Sequence, residues 1–336
     1  MPGGPRRIVT IGGSAGSIEV LKTIVAGLKA ELPAAVLVVV HILPSSESRL
    51  PKLLAGRSRL PVRHAANGEP IAEGTVLVAP PDHHLLVNGD DVALSHGPME
   101  NSSRPSIDVL FRSAAQTSGV ALCGVILSGT LDDGADGLRR MVDAGGVAIV
   151  QDPEDAQQRD MPVNAIASCP TSRVLPGDMI AAAINEWADD GPTGGGALAK
   201  GRSDVVADEP GDGISLVGES LRPTGLTCPE CRGVLWTSDG AGEPHFRCRV
   251  GHRFTFETLR HLQRTEVERS MWAAVRALEE EASLCRQIAT RAESNGRLGL
   301  AMRFGRRHDS TLRHADTLRD LLHHFGDPAP VSGRES

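Results

Sequence analysis

Residues 7–187 alternate short apolar runs with segments of helical period. The runs RIVTIGG, AAVLVVVH, TVLVAP, CGVILSG and VAIVQ are apolar along their whole length rather than at every second position. Strands of that kind are buried on both faces, as in a parallel sheet with helices on each side. The segments between them fit this arrangement. In SIEVLKTIVAGL, the residues Ile18, Leu21, Ile24, Val25 and Leu28 share one helical face, and SIDVLFRSAAQTSG and ADGLRRMVDAGG read as further helices that stop at glycine. HHLLVNGDDVALSH predicts a hairpin turning at Asn88-Gly89. The expected fold is α/β, a doubly wound, mostly parallel sheet.

The pattern changes after Trp187. Residues 188–224 are rich in Gly, Pro, Asp and Ser, cannot bury a core, and are expected to form a flexible linker. A compact Cys/His segment follows at 225–256. Residues 257–325 are rich in Leu, Ala, Arg and Glu with a break at Ser294-Asn295-Gly296, which predicts an α-helical hairpin with an apolar stripe through Leu259, Leu262, Met271, Val275 and Leu278.

Composition narrows the function. A net charge of -7 over 336 residues, with 3% aromatics and no Tyr, argues against a nucleic-acid binder, which needs a basic surface or an aromatic platform. No apolar run approaches the roughly 18 residues that span a bilayer, and the N-terminus has no secretory apolar region. The expectation is a cytoplasmic protein without membrane insertion. Three of the six cysteines cluster, which suggests metal rather than disulfides, while Cys123, Cys169 and Cys285 are scattered and read as small buried hydrophobes.

Candidate chemistry stands where the apolar runs end. Ser14 follows RIVTIGG, His41 ends VLVVVH, and Asp133 lies just past GVILSG. Sites form at the carboxyl edge of an open α/β sheet, so these three can meet there. A serine hydroxyl needs a histidine to take its proton, and the histidine needs a carboxylate to fix its tautomer. The glycines of GGSAGS let the chain bend sharply, and free N–H groups of the following helical turn can donate to an oxyanion. Each residue also has a plainer reading: Ser14 as a helix N-cap, His41 as a structural strand-end residue, Asp133 as a turn residue, with Asp132 as its rival.

The blocks around these residues resemble the catalytic domain of the chemotaxis protein-glutamate methylesterases. The quoted blocks are Ile11-Gly12-Gly13-Ser14-Ala15-Gly16-Ser17, Val40-His41-Ile42-Leu43-Pro44, Val78-Ala79-Pro80-Pro81-Asp82-His83-His84 and RPSIDVLF at 104–111. ILSGTLDDG at 126–134 and AGG at 144–146, with Gln151 and MPVNAI at 161–166, complete them in order. The resemblance implies that Ser14 attacks a receptor glutamate methyl ester, that His41 is the general base and then acid, and that Asp133 orients His41. It selects Asp133 over Asp132 by motif register. It also implies oxyanion or substrate binding by Ala15, Thr130 and Arg104, no cofactor for catalysis, and glutamine deamidation as a second reaction of the same residues. The implied partners are a methylated chemoreceptor or similar helical signalling protein, with a separate response regulator or methyltransferase beside it.

The chain departs from the family pattern at Ala15, where Thr is usual, at Ser17, where Gly is usual, and at Thr130-Leu131, where Met-Gly is usual. These changes favour, as the alternative, a weak or inactive esterase-fold adaptor. The family's phospho-receiver domain is not seen ahead of the esterase pattern, so control by phosphorylation of this chain is not expected. The Cys/His segment carries Cys228-Pro-Glu-Cys231 and Cys248-Arg-Val-Gly-His252, the spacing of a one-site zinc ribbon in which four protein ligands close a structural Zn²⁺ site. His245 is an alternative to His252 as the fourth ligand.

Overall fold

The computed structural model describes residues 7–42, 48–190, 221–238 and 245–325. The chain opens with β1 (Arg7–Gly13), α1 (Ser17–Gly27), β2 (Ala35–Val40), α2 (Leu50–Ala55), β3 (Val62–His64) and β4 (Val76–Val78). A hairpin of β5 (His84–Asn88) and β6 (Asp91–Ser95) precedes α3 (Ile107–Ala115) and β7 (Ala121–Ile126). Then come α4 (Ala135–Asp143), β8 (Val147–Gln151), α5 (Asp160–Ser168), β9 (Arg173–Leu175) and α6 (Gly177–Asp189). The strands form one seven-stranded sheet in the order β3-β4-β2-β1-β7-β8-β9. Every pairing in it is parallel.

Burial explains why the runs are continuous. Along β1, Val9 and Ile11 pack with Leu21, Ile24, Ile180 and Ile184 of α1 and α6 on one face. Ile8 packs with Ile107, Phe111, Leu138 and Met161 of α3, α4 and α5 on the other. Alternate residues of one strand therefore serve two apolar cores, and β2 is buried along its whole length. Cys123 and Cys169 are buried, as their scattering suggested, and burial pushes the Cys123 thiol up to about 12, which keeps it inert.

Two local expectations need adjustment. Asn88 pairs with Asp91, so the hairpin loop is Gly89-Asp90, one residue later than predicted, with Gly89 supplying a positive φ of 63°. The edge strands β3 and β9 were not anticipated; each has three residues and none is buried, so neither leaves an apolar run.

The Cys/His segment folds as a four-stranded antiparallel sheet of β10 (Leu221–Thr227), β11 (Val234–Ser238), β12 (Phe246–Cys248) and β13 (Arg253–Phe254). It begins at Leu221, four residues before the expected boundary. The stretch 191–220, most of the expected linker, lies outside the described residues. Residues 1–259, the sheet of β10–β13 included, form one compact unit. The second unit, residues 260–336, holds most of α7 (Phe256–Ser294) and all of α8 (Leu298–Phe325). Within it Val275, Ala282, Cys285, Ala292 and Ala315 are buried, and Arg307 of α8 bonds Glu281 of α7 at 2.7 Å. The two helices thus pack as the expected hairpin, broken at Gly296, where φ is 68°.

Candidate active site

Ser14 and His41 each follow the last residue of a central strand. Gly13 of β1 pairs with Val40 of β2, and the His41 N–H donates to the Gly13 carbonyl at 3.1 Å, so the two residues leave the same sheet edge side by side. The backbone after β1 is tied to β7 through the Ser14 N–H, which donates to Ser128 O at 2.9 Å. Gly129 packs so closely that a Cβ there would lie 2.9 Å from the Ser14 Cβ. The N-cap of α1 is Gly16, left-handed at φ 80°, and no side chain caps the helix. Ser14 is therefore not held as a cap, and its hydroxyl is left for chemistry. Among the described residues, the N–H groups of Ala15 and Thr130 make no hydrogen bond within the protein.

Asp133 lies in the loop after β7, at the N-terminus of α3. Its Oδ2 is 2.8 Å from His41 Nε2. The same oxygen accepts the Ile107 N–H at 2.7 Å, and Oδ1 accepts the Ser106 hydroxyl at 2.9 Å and the Asn101 amide at 3.1 Å. A carboxylate at a helix N-terminus faces unpaired N–H groups and the positive end of the helix dipole. Burial raises the Asp133 carboxyl, but the His41 contact, the Ile107 N–H and the Asn101 amide together bring it down to about 2. Asp133 is thus an anion at every working pH. Because Nε2 is bonded to this anion, it holds the ring proton, and Nδ1 is the nitrogen left to accept one.

Neighbouring carboxyls behave differently. Asp108 is buried and lies near Asp133 and Asp136; burial and those charges hold its pKa well above the ordinary carboxylate range. Asp132, the rival for the histidine, points elsewhere: its Oδ1 accepts the hydroxyls of Thr258 at 2.7 Å and Thr255 at 3.0 Å. Leu131, which stands where the family has Gly, takes a left-handed φ of 63°. For a residue with a Cβ this costs about 1–2 kcal/mol. Asn164 donates to its carbonyl at 2.9 Å and helps to hold it there.

Arg104 is committed within the protein. It donates to Asp82 at 2.9 Å and to the carbonyls of His96 and Gly97 at 3.1 and 2.7 Å. That placement shapes the loop beside the site and leaves the guanidinium little capacity to bind a substrate. Asn101, Ser106, Thr255 and Thr258 are polar contacts that sequence reasoning did not single out. Ser106 lay within the RPSIDVLF block, but the other three carry only turn or cap signals.

Cys228, Cys231, Cys248 and His252 converge, with their ligand atoms all within 4.8 Å of one another. Cys231 and Cys248 Sγ are 3.6 Å apart, and His252 Nδ1 is 3.4 Å from Cys248 and 3.6 Å from Cys228. Two tight turns present them: Arg232 N–H donates to Cys228 O at 2.8 Å and Gly251 N–H to Cys248 O at 3.0 Å. This cluster could hold a metal ion. His245 is not part of it and instead pairs with Asp136 at 3.5 Å.

A family model described as CheB methylesterase matches residues 9–184. The chain is 40% identical over 179 residues to a protein-glutamate methylesterase/protein-glutamine glutaminase of Anaeromyxobacter dehalogenans, covering 53% of this chain and 52% of that one. It is 39% identical over 174 residues to a putative enzyme of the same name from Leptospira interrogans, covering 52% of this chain and 90% of that one. The crystal structure of the Thermotoga maritima CheB methylesterase catalytic domain superposes with a TM-score of 0.52 at 31% identity, over 56% of this chain and all of that one. The chain spans about half the length of the Anaeromyxobacter relative and of a Geobacter metallireducens relative that is also 40% identical. The family-model match, at residues 9–184, falls short of the Cys/His module and the helical hairpin.

Proposed function

The chain belongs to the CheB methylesterase family, and on that footing we propose that it is a serine hydrolase that demethylates glutamate methyl esters on a chemoreceptor-like signalling protein. The observation that carries this reading is the 2.8 Å contact between His41 Nε2 and the buried Asp133 carboxylate, at the strand edge that Ser14 shares. Ser14 Oγ attacks the ester carbonyl carbon and its proton passes to His41 Nδ1. The N–H groups of Ala15 and Thr130 stabilise the oxyanion. When the tetrahedral intermediate collapses, the C–O bond to the methoxy group breaks, and His41 returns the proton so that methanol leaves. Water then attacks the glutamyl-Ser14 ester with His41 as base, releasing the glutamate carboxylate and restoring the serine. Glutamine takes the same path with ammonia as the leaving group. Arg104 contributes by fixing the loop through Asp82. No step calls for a cofactor.

A cytoplasmic location accords with this substrate, and among the described residues no helix is long and apolar enough to cross a membrane. The test is methanol release when the purified full chain is incubated with methyl-labelled receptor membranes. Steady release supports the reading. Its absence across several receptors would favour the adaptor alternative, to which the altered Ala15 and Thr130-Leu131 positions point.

The Cys/His module suits structural zinc. Zn–S bonds of about 2.3 Å and Zn–N bonds of about 2.0–2.1 Å give a tetrahedron with edges of roughly 3.5–3.8 Å, close to the separations of 3.4 and 3.6 Å found here. Three thiolates and one imidazole leave no open position, so the metal would brace the fold and take no part in hydrolysis. Purified wild-type chain is expected to carry about one zinc per chain and Cys228→Ser to lose it; a wild type isolated without zinc would sink the assignment.

A further inference from the structure

The Cys/His module is joined to the esterase sheet through the loop that precedes α3. Arg253 of β13 bridges Glu100, and the Asn101 N–H donates to the Arg253 carbonyl at 2.9 Å. Asn101 is 8% exposed and every side-chain polar group is used. Its amide nitrogen donates to Asp133 Oδ1 and to Asp108 Oδ2, each at 3.1 Å, while its Oδ1 accepts the Thr255 N–H at 3.0 Å. The last bond settles which way the amide faces. A backbone N–H can only donate, so the oxygen must point at Thr255 and the NH₂ group at the two carboxyls.

We propose that Asn101 is a positioning residue for Asp133, held in that role by residues 253–258, so that the Cys/His module is a working part of the esterase site. This rests on the esterase reading given above. A second contact acts on the same loop. Thr255 Oγ1 and Thr258 Oγ1 both donate to Asp132, the residue beside Asp133, and Thr255 Oγ1 also accepts the Thr258 N–H at 3.2 Å. One short segment thus restrains the catalytic carboxylate from two sides, through Asn101 and through Asp132. Asn101 and Ser102 also adopt left-handed backbone, at φ 50° and 56°. Two successive residues of that kind persist only where their surroundings over-determine them, and the bonds to Arg253 and Thr255 do so for Asn101. Only two residues separate His252, the last of the metal-ligand set, from Thr255, so a metal that fixes His252 also fixes the donor on which Asn101 depends.

The full chain tests this. A fluorophosphonate probe reacts with an activated serine and counts active sites, and its labelling rate reports how well Ser14 is activated, whatever the natural substrate. Asn101→Ala is expected to lower both the labelling rate and kcat per titrated site by about 10–100-fold, with KM within about twofold, as for residues that orient reacting groups. Thr258→Val, which keeps the shape and removes one hydroxyl from Asp132, is expected to lower the same rates several-fold. A purely structural role would reduce the number of titratable sites and leave the rate per site at the wild-type value, and that result overturns the proposal. Stripping metal from wild type, with zinc content measured alongside, should lower the rate per site, and should lower that of Asn101→Ala by a smaller factor, since only the Asp132 contacts then remain to be lost. Equal fractional losses in both proteins would break the link to the module. A wild type that the probe labels but that releases no methanol would remove the substrate assignment, while the labelling rates still decide the role of Asn101.

Discussion

Ser14→Ala is expected to lower methanol release by about 10⁴- to 10⁶-fold, because the variant keeps the fold and loses only the atom that forms the acyl-enzyme. What places Ser14 is backbone: its N–H bonds Ser128 O, and Gly129 packs against its Cβ, which alanine retains. The variant should therefore unfold at the wild-type denaturant midpoint, contain the wild-type amount of zinc, and fail to react with a fluorophosphonate. Methanol release within tenfold of wild type would remove Ser14 from the mechanism.

Asp133→Asn should cost about 10⁴-fold in kcat, for a different reason. His41 Nε2 donates to Oδ2 of Asp133, which also accepts the Ile107 N–H. An asparagine that keeps its oxygen toward Ile107 still accepts from His41, but it lacks the charge that stabilises the imidazolium and sets its NH₂ group against the Asn101 amide donor. One that turns NH₂ toward His41 forces Nε2 to accept. The ring proton then sits on Nδ1, the nitrogen required as base. The substitution also changes acid stability, and the sign follows from the depressed pKa. Asp133 falls from 3.8 to about 2 on folding, so it adds roughly 2 kcal/mol of stability above its unfolded value, lost as the pH drops toward 2. Asp108 is raised on folding and works the other way, adding stability at low pH that is lost as the pH rises through its folded value. Acid unfolding followed between pH 5 and 2 should be shallower in Asp133→Asn than in wild type; an unchanged profile would mean that Asp133 is not ionised by its native contacts.

Much of this was legible in the sequence because the decisive features are local. Continuous β-branched runs announced strands covered on both faces, and Ser14 and His41 stand immediately after two of them. Leu131 stands where the family pattern has glycine, and its left-handed φ shows why that position suits glycine. Ser14 was harder to read. A serine before an amphipathic helix ordinarily caps it, and only the structure shows that Gly16 takes that position. Asn101 and Thr255 were not legible at all. Asn101 sits in a turn-forming stretch and Thr255 looks like a helix cap, yet they meet although 154 residues apart. No periodicity or motif reports a contact of that range. Arg104 shows the reverse case: a residue inside a matched block whose donors are committed to Asp82 and two carbonyls.

The contact between Asp132 and Thr255 spans 123 residues of sequence. A ribosome adding about 5–20 residues per second needs roughly 6–25 s to cover that distance. During this interval the growing chain already contains Ser14, His41 and Asp133, with Asn101 among them, but not the Thr255 and Thr258 groups that bond Asn101 and Asp132. On this footing a nascent chain that lacks residues 253–258 should turn over esters about 10–100-fold more slowly than one in which they are in place. The order of synthesis then keeps the site loosely held until that segment has been made.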